Sequence, residues 1–284
     1  MSMILRLFLR FFIFITGYRS TVVNQNLDVI AAAHPDLIIS DSKKRFQSYF
    51  PTLLSEIISS YFLKQEEVSR LATFVNSDLV QKSIQESGGA FLLTAHHGNW
   101  ELASLALSSA LKGKIGAIYL PLSNKRIENW VKKKRIRFGV QFISPRELLN
   151  LIRKNHDLKA LCFVADQAPG GPEHADWIPF FGRTTAFSPG IERLPRILNW
   201  PVYYASIRRR ENGVYQITFE LLCDTPRSAS KGELLNKYVD CLEREVTQAP
   251  HQWLLTHRRW KHQAENYLNI TKYDRHSSGG ISQT

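Results

Sequence analysis

The chain has 284 residues, 44% of them hydrophobic and 22% charged, with 12 Pro and 15 Gly spread along it, which excludes a disordered or collagenous polymer and low-complexity sequence. Lys and Arg outnumber Asp and Glu by 37 to 25, a formal charge of +12. That surplus suits a polyanionic partner, whether nucleic acid, phospholipid headgroups or an acidic carrier protein, and does not choose among them. Cys162, Cys223 and Cys241 are far apart and form no C-x-x-C pair, so neither a disulfide framework nor a zinc site is indicated and a reducing compartment is expected.

Residues 4–16 read ILRLFLRFFIFIT, an apolar run interrupted by Arg6 and Arg10. About 18 consecutive apolar residues are needed to span a bilayer, and no small-residue cleavage site follows at Gly17-Tyr18-Arg19, so neither a simple transmembrane span nor a secretory signal is expected. The two arginines lie four apart on one helical face, with Leu5, Phe8, Leu9 and Phe12 over the rest, the pattern of a helix lying in a membrane interface. Further helices are expected at 43–62 and 65–86, after a break at His34-Pro35-Asp36. Short apolar runs at 90–95, 115–119, 160–165, 202–207 and 215–221 read as strands. Helical patterns at 100–112, 127–138, 145–154 and 189–198 lie between them, and one at 231–249 follows. Strands alternating with helices predict an α/β fold, a central, mostly parallel sheet flanked by helices, preceded by an amphipathic N-terminal membrane-associating helix. The expected division is an interface helix at 1–17, a single domain at 18–270 and a flexible tail at 271–284.

The chemistry concentrates where the apolar run at 90–95 ends in His96-His97-Gly98-Asn99-Trp100-Glu101. Imidazole and carboxylate thereby stand at the carboxyl end of a strand, where α/β sheets build sites. A neutral imidazole accepts a proton from a hydroxyl near pH 7, and Glu101 could hold its other nitrogen. Loop histidines bonded to backbone remain the alternative at this point. Asp166-Gln167 also follows an apolar run and shares that rim if the sheet is parallel.

His96 and Glu101, in H-H-G-N-W-E-L, resemble the H-x4-D/E signature of glycerolipid acyltransferases, in the form found in bacterial lipid A biosynthesis acyltransferases. Four further blocks fall in the family's order: Tyr18-Arg19 with Asn26-Leu27; Asn124 with Arg137-Phe138-Gly139; Asp166-Gln167 with Pro179-Phe180-Phe181-Gly182; and Pro250-x-Gln252-Trp253 with His257-Arg258-Arg259-Trp260-Lys261. The resemblance spans about residues 15–262 and selects His96 over His97. It implies transfer of a fatty acyl chain from a thioester, of acyl carrier protein or coenzyme A, to a hydroxyl of a lipid acceptor at the cytoplasmic face of a bacterial inner membrane. No cofactor, metal or nucleic acid is expected.

On that reading His96, Glu101 and Arg137 are the catalytic candidates, with Arg137 as oxyanion donor. Asn99, Asn124, Arg135, Asp166, Gln167, Phe180, Phe181, Gly182 and Arg258 are the substrate-binding ones, and Trp177, Phe180, Phe181 and Phe187 offer an apolar wall for an acyl chain. The segment Tyr119-Leu120-Pro121-Leu122 lacks the arginine that usually follows tyrosine in the family, which leaves an aminolipid or glycolipid acceptor open. A non-enzymatic basic protein that binds membrane or nucleic acid is the rival from another class.

Overall fold

A strand buried on both faces carries apolar residues throughout, because neither side meets water. Ala90–Thr94 is buried at all five positions and apolar at the first four, and in the computed structural model of the chain it is the strand β2 near the middle of the main sheet. The structure describes residues 2–119, 124–144, 147–148, 157–268, 270–275 and 281–282.

The main sheet has seven strands in the order β1-β9-β8-β2-β5-β3-β4. They are β1 (Ala72–Val75), β2, β3 (Lys114–Ile118), β4 (Val140–Ile143), β5 (Leu158–Val164), β8 (Val202–Arg209) and β9 (Tyr215–Cys223). Strands β8, β2, β5, β3 and β4 run parallel, β9 runs antiparallel to β8, and β1 runs parallel to β9. The five expected strands are all present, and the sheet is mostly parallel with helices on both faces.

One face carries α5 (Ser77–Ser87) and α6 (Trp100–Ala110), whose Ile84, Leu102 and Leu105 pack with Leu92 and Phe219 of the sheet. The other face buries Leu27 and Ile30 of α2 (Ser20–Ala33), Phe46 and Phe50 of α3 (Ile39–Ser60), and Leu242 of α9 (Glu233–Gln248) against Phe91 and Leu93. The remaining helices are α1 (Ser2–Thr16), α4 (Gln65–Leu71), α7 (Lys125–Ile136) and α8 (Gly190–Leu198).

Several expectations need correction. The single helix at 65–86 is two, α4 and α5, separated by β1, whose Ala72–Val75 pairs with residues 215–218 of β9. A four-residue run that includes β-branched Thr73 and Val75 takes the ladder offered by an otherwise open edge, and tertiary pairing overrides helical propensity there. Strand β4 and the hairpin of β6 (Asp176–Phe180) with β7 (Arg183–Phe187) were not anticipated. Phe181 and Gly182 form the two-residue hairpin loop with φ of 48° and 71°, the left-handed pair that such a tight turn requires. Strand β10 (Thr271–Tyr273) pairs with β6, and Arg275 forms ion pairs with Asp240 and Glu243, so packed structure continues past the expected boundary at 270. The helix expected at 145–154 lies, save for 147–148, outside the described residues.

In α1 the half-buried residues are Leu5, Leu9 and Ile13, a narrow stripe with a four-residue spacing that packs along α3. Ile4, Leu7, Phe8, Phe11, Phe12, Phe14 and Ile15 stay exposed beside Arg6 and Arg10. Among the described residues no helix is long and apolar enough to cross a membrane.

Candidate active site

Strand register builds the site. Strands β2 and β5 are adjacent and parallel, with Thr94 opposite Val164; two residues further along each chain stand His96 and Asp166. Their side chains meet: His96 Nδ1 lies 2.7 Å from Asp166 Oδ1, and the His96 backbone N–H donates to the same oxygen at 3.0 Å. The other carboxylate oxygen, Oδ2, accepts a hydrogen bond from Trp253 Nε1 at 2.8 Å. Burial raises a carboxyl group's pKa, but here the neighbouring imidazole and three N–H donors outweigh burial and bring Asp166 down to about 2. An ionised carboxylate only accepts hydrogen bonds, so His96 Nδ1 carries the proton and Nε2 is the basic nitrogen.

The turn after β2 is shaped by two residues that do not touch the chemistry. Gly98 has a φ of 61°, and a Cβ there would come within 2.6 Å of the Ile207 carbonyl oxygen, so only glycine passes this close to β8. His97 is fully buried, with its ring nitrogens 2.8 and 3.0 Å from the carbonyl oxygens of Ile207 and Ala249. It ties the turn to β8 and to the end of α9. Asn99 then caps α6, its Oδ1 accepting from the Leu102 N–H at 2.9 Å.

His96 lines a cavity of ≈ 810 Å³, inside the range of about 300–1,000 Å³ typical of small-molecule sites. Its polar lining includes Glu101, Arg135 and Gln167; its apolar lining includes Leu92, Trp100, Ala103, Leu107, Cys162 and Phe219. The cavity runs between α6 and the sheet, and Trp100 presents its ring to the edge of His96 at a centroid distance of 4.8 Å.

Glu101 does not hold the second nitrogen of His96. It receives Arg135 in a bidentate ion pair, with Nε donating to Oε2 at 2.9 Å and Nη2 donating to Oε1. Arg135 also lies 4.1 Å from the ring centre of Phe142, and its Nη2 reaches the Tyr61 hydroxyl at 3.3 Å. Arg137 stands elsewhere: Nη2 donates to the carbonyls of Tyr61 and Leu63 at 2.7 and 2.8 Å, pinning the loop after α3. Two residues turn a helix by about 200°, so when Arg135 faces the cavity, Arg137 cannot. Arg135 and Arg193 line the cavity, and the expected oxyanion donor Arg137 does not.

The other candidates divide in the same manner. Asn124 caps α7, accepting from Arg126 and Ile127 N–H groups at 3.0 and 3.2 Å. Phe180, Phe181, Trp177 and Phe187 are core residues. Phe180 stacks on Trp260 at 5.6 Å, and none of the four lines the cavity. The apolar wall is supplied instead by α6 and the inner strands, because the hairpin turns its aromatic rings under the 250–260 segment. Arg258 is exposed, whereas its neighbour Arg259 is 2% exposed and sits over the Phe187 ring at 4.2 Å. Burial pulls the Arg259 guanidinium down to about 10, against the opposing pull of the Asp166 charge.

Trp253 and Asn26 are the residues that sequence reasoning left without a role. Asn26 Nδ2 donates to the carbonyls of Leu255 and His257, both at 2.8 Å, and Arg19 Nη1 donates to Thr256 O at 2.9 Å. The N-terminal block thus holds the C-terminal block, which holds Asp166. Their signal in the sequence was their place in ordered blocks, with nothing local to say what each touches.

Residues 10–262 match the family model of the bacterial lipid A biosynthesis acyltransferases. The chain belongs to that family. A search of the curated proteins returns no match. Family membership makes this an acyltransferase of the lipid A type, and it gives the convergence of the ordered sequence blocks its meaning. In this lipid A acyltransferase the H-x4-E and D-Q blocks meet at His96, with the P-x-Q-W block directly behind.

Proposed function

We propose that the protein transfers a fatty acyl group from a thioester, carried by acyl carrier protein or coenzyme A, to a hydroxyl of a lipid A precursor or related lipid. The observation that carries this reading is the His96–Asp166 pair opening on a largely apolar cavity of ≈ 810 Å³. His96 Nε2 takes the proton of the acceptor hydroxyl as its oxygen attacks the thioester carbonyl. The tetrahedral oxyanion then collapses, the C–S bond breaks, and the leaving sulfur takes the proton back from His96. Asp166 holds Nδ1–H throughout and stabilises the imidazolium that forms. No protein nucleophile takes part.

Glu101 acts one step removed on this reading, by fixing Arg135. That guanidinium, that of Arg193, which also lines the cavity, and the N–H groups at the start of α6 can serve as donors to an oxyanion. The acyl chain occupies the apolar part of the cavity between α6 and the sheet.

The work takes place at the cytoplasmic face of a bacterial inner membrane. The exposed apolar side chains of α1 and the charge of +12 support an anionic membrane surface as partner. The test is an assay of purified protein with acyl carrier protein and coenzyme A thioesters against lipid A precursors, aminolipids and glycolipids, read by mass spectrometry. Acyl transfer to one acceptor class, lost in His96→Ala, supports the reading. A folded protein that transfers no acyl group from either donor overturns it.

A further inference from the structure

We infer that Trp253 is a positioning residue of the catalytic pair, acting through Asp166, and this rests on the reading of His96 as base. A carboxylate that orients a histidine needs its second oxygen held, or it rotates and the imidazole loses its direction. Asp166 is 2% exposed, so water does not do this, and Trp253 Nε1 donates to Oδ2 at 2.8 Å.

The indole is itself fixed from both sides. Trp253 forms an isolated antiparallel bridge with His97. Gly98 N–H donates to Gln252 O at 3.0 Å, and Leu254 N–H donates to His96 O at 2.9 Å. The segment that carries the donor is thus stitched to the backbone of the base it serves. From the far side, Asn26 and Arg19 hold the carbonyls of Leu255, Thr256 and His257. The Trp253 ring meets Phe180 and Trp260 at centroid distances of 6.1 and 6.0 Å. Trp253 does not line the cavity, so its contribution reaches substrate only through Asp166 and His96.

The experiment compares the full-length wild type with Trp253→Phe and with a protein carrying, at position 253, the tryptophan isostere that has sulfur in place of the indole N–H. The isostere keeps the shape and packing and removes only the donor. Both variants are expected to lower kcat about ten-fold or more, as for loss of a hydrogen bond to a charged group, with KM for the thioester unchanged. The acid limb of kcat/KM is expected to move to higher pH, because a carboxylate with one donor fewer holds the imidazolium proton more strongly. A purely structural tryptophan would change the melting temperature and leave that limb in place. Should Trp253→Phe fail to fold, the isostere decides: wild-type kcat and pH profile in the isostere overturn the inference. If the wild type transfers no acyl group at all, the functional reading has failed. The contact is then read by NMR, where an indole N–H resonance unmoved by Asp166→Asn overturns the inference.

Discussion

His96 and His97 are adjacent in the chain and separate in fate. His96 turns to Asp166 and the cavity, while His97 is enclosed between two carbonyl oxygens. His96→Ala and Asp166→Asn should each lower turnover by about 100-fold or more, as for loss of a general base or its orienting group, with the circular dichroism spectrum unchanged. His97→Ala should instead lower the melting temperature by several degrees, since it removes a fully buried ring and its hydrogen bond to a buried carbonyl, a loss of about 1–3 kcal/mol. Equal melting temperatures for all three variants would show that His97 is not the tie described here. Glu101 and Arg135 form one unit. Glu101→Ala and Arg135→Ala should each reduce kcat, and the double variant should be little worse than either single one, because a second deletion removes nothing that the first left working. Strictly multiplicative losses would separate their roles.

Among the elements, the β6–β7 hairpin with β10 shows how an accessory sheet carries a buried charge. Asp176 begins β6, is 7% exposed, and accepts a hydrogen bond from the Tyr273 hydroxyl at 3.3 Å, a neutral donor. Burial, assisted by the nearby Glu192 charge, raises its carboxyl to about 6. In the unfolded chain the same group titrates near about 3.9. Between these values the folded state binds the extra proton, so stability falls as pH rises through about 6 and the full cost stands above it. Asp176→Asn keeps the acceptor for Tyr273 and removes the charge. It should raise stability at pH 7.5 by about 3 kcal/mol, seen as a higher melting temperature, with no gain below about pH 4. A variant no more stable than wild type at pH 7.5 would show that the carboxylate is accommodated at no cost.

For the whole molecule, the first helix has the wrong balance for an aqueous surface. Phe8, Phe11, Phe12, Phe14 and Ile15 are each at least half exposed, while only the narrow Leu5, Leu9 and Ile13 stripe packs on α3. Full burial of such a side chain contributes about 1.5–3 kcal/mol, and basic residues near anionic lipid add about 1 kcal/mol each. Removing residues 1–17 should leave a more soluble protein that acylates a detergent-dispersed acceptor and works poorly on vesicles. High salt should release the full-length protein from anionic vesicles only in part, because the apolar contribution is not screened. Full-length protein that remains in the supernatant with anionic vesicles at low salt would assign the helix to the fold instead.

The five apolar runs of the main sheet were legible without coordinates, because hydrophobic periodicity is a local property that records which faces leave water. His96 was legible too, by its place in an H-x4-E motif at a strand end, as was the rim it shares with Asp166. Both follow runs of six residues, 90–95 and 160–165, in equal register. That β5 rather than β3 lies beside β2 is a matter of topology, and this is what gives His96 an aspartate for its Nδ1 and leaves Glu101 to Arg135. That Arg135 and not Arg137 lines the cavity depended on the rotation of α7 about its axis, which a helix with basic residues at half its positions does not encode. Trp253 and Asn26 sit more than 200 residues apart in the chain. Hydrogen bonds to backbone carbonyls bring them to one loop, and a carbonyl belongs to every residue type, so no sequence pattern announces which one will be used.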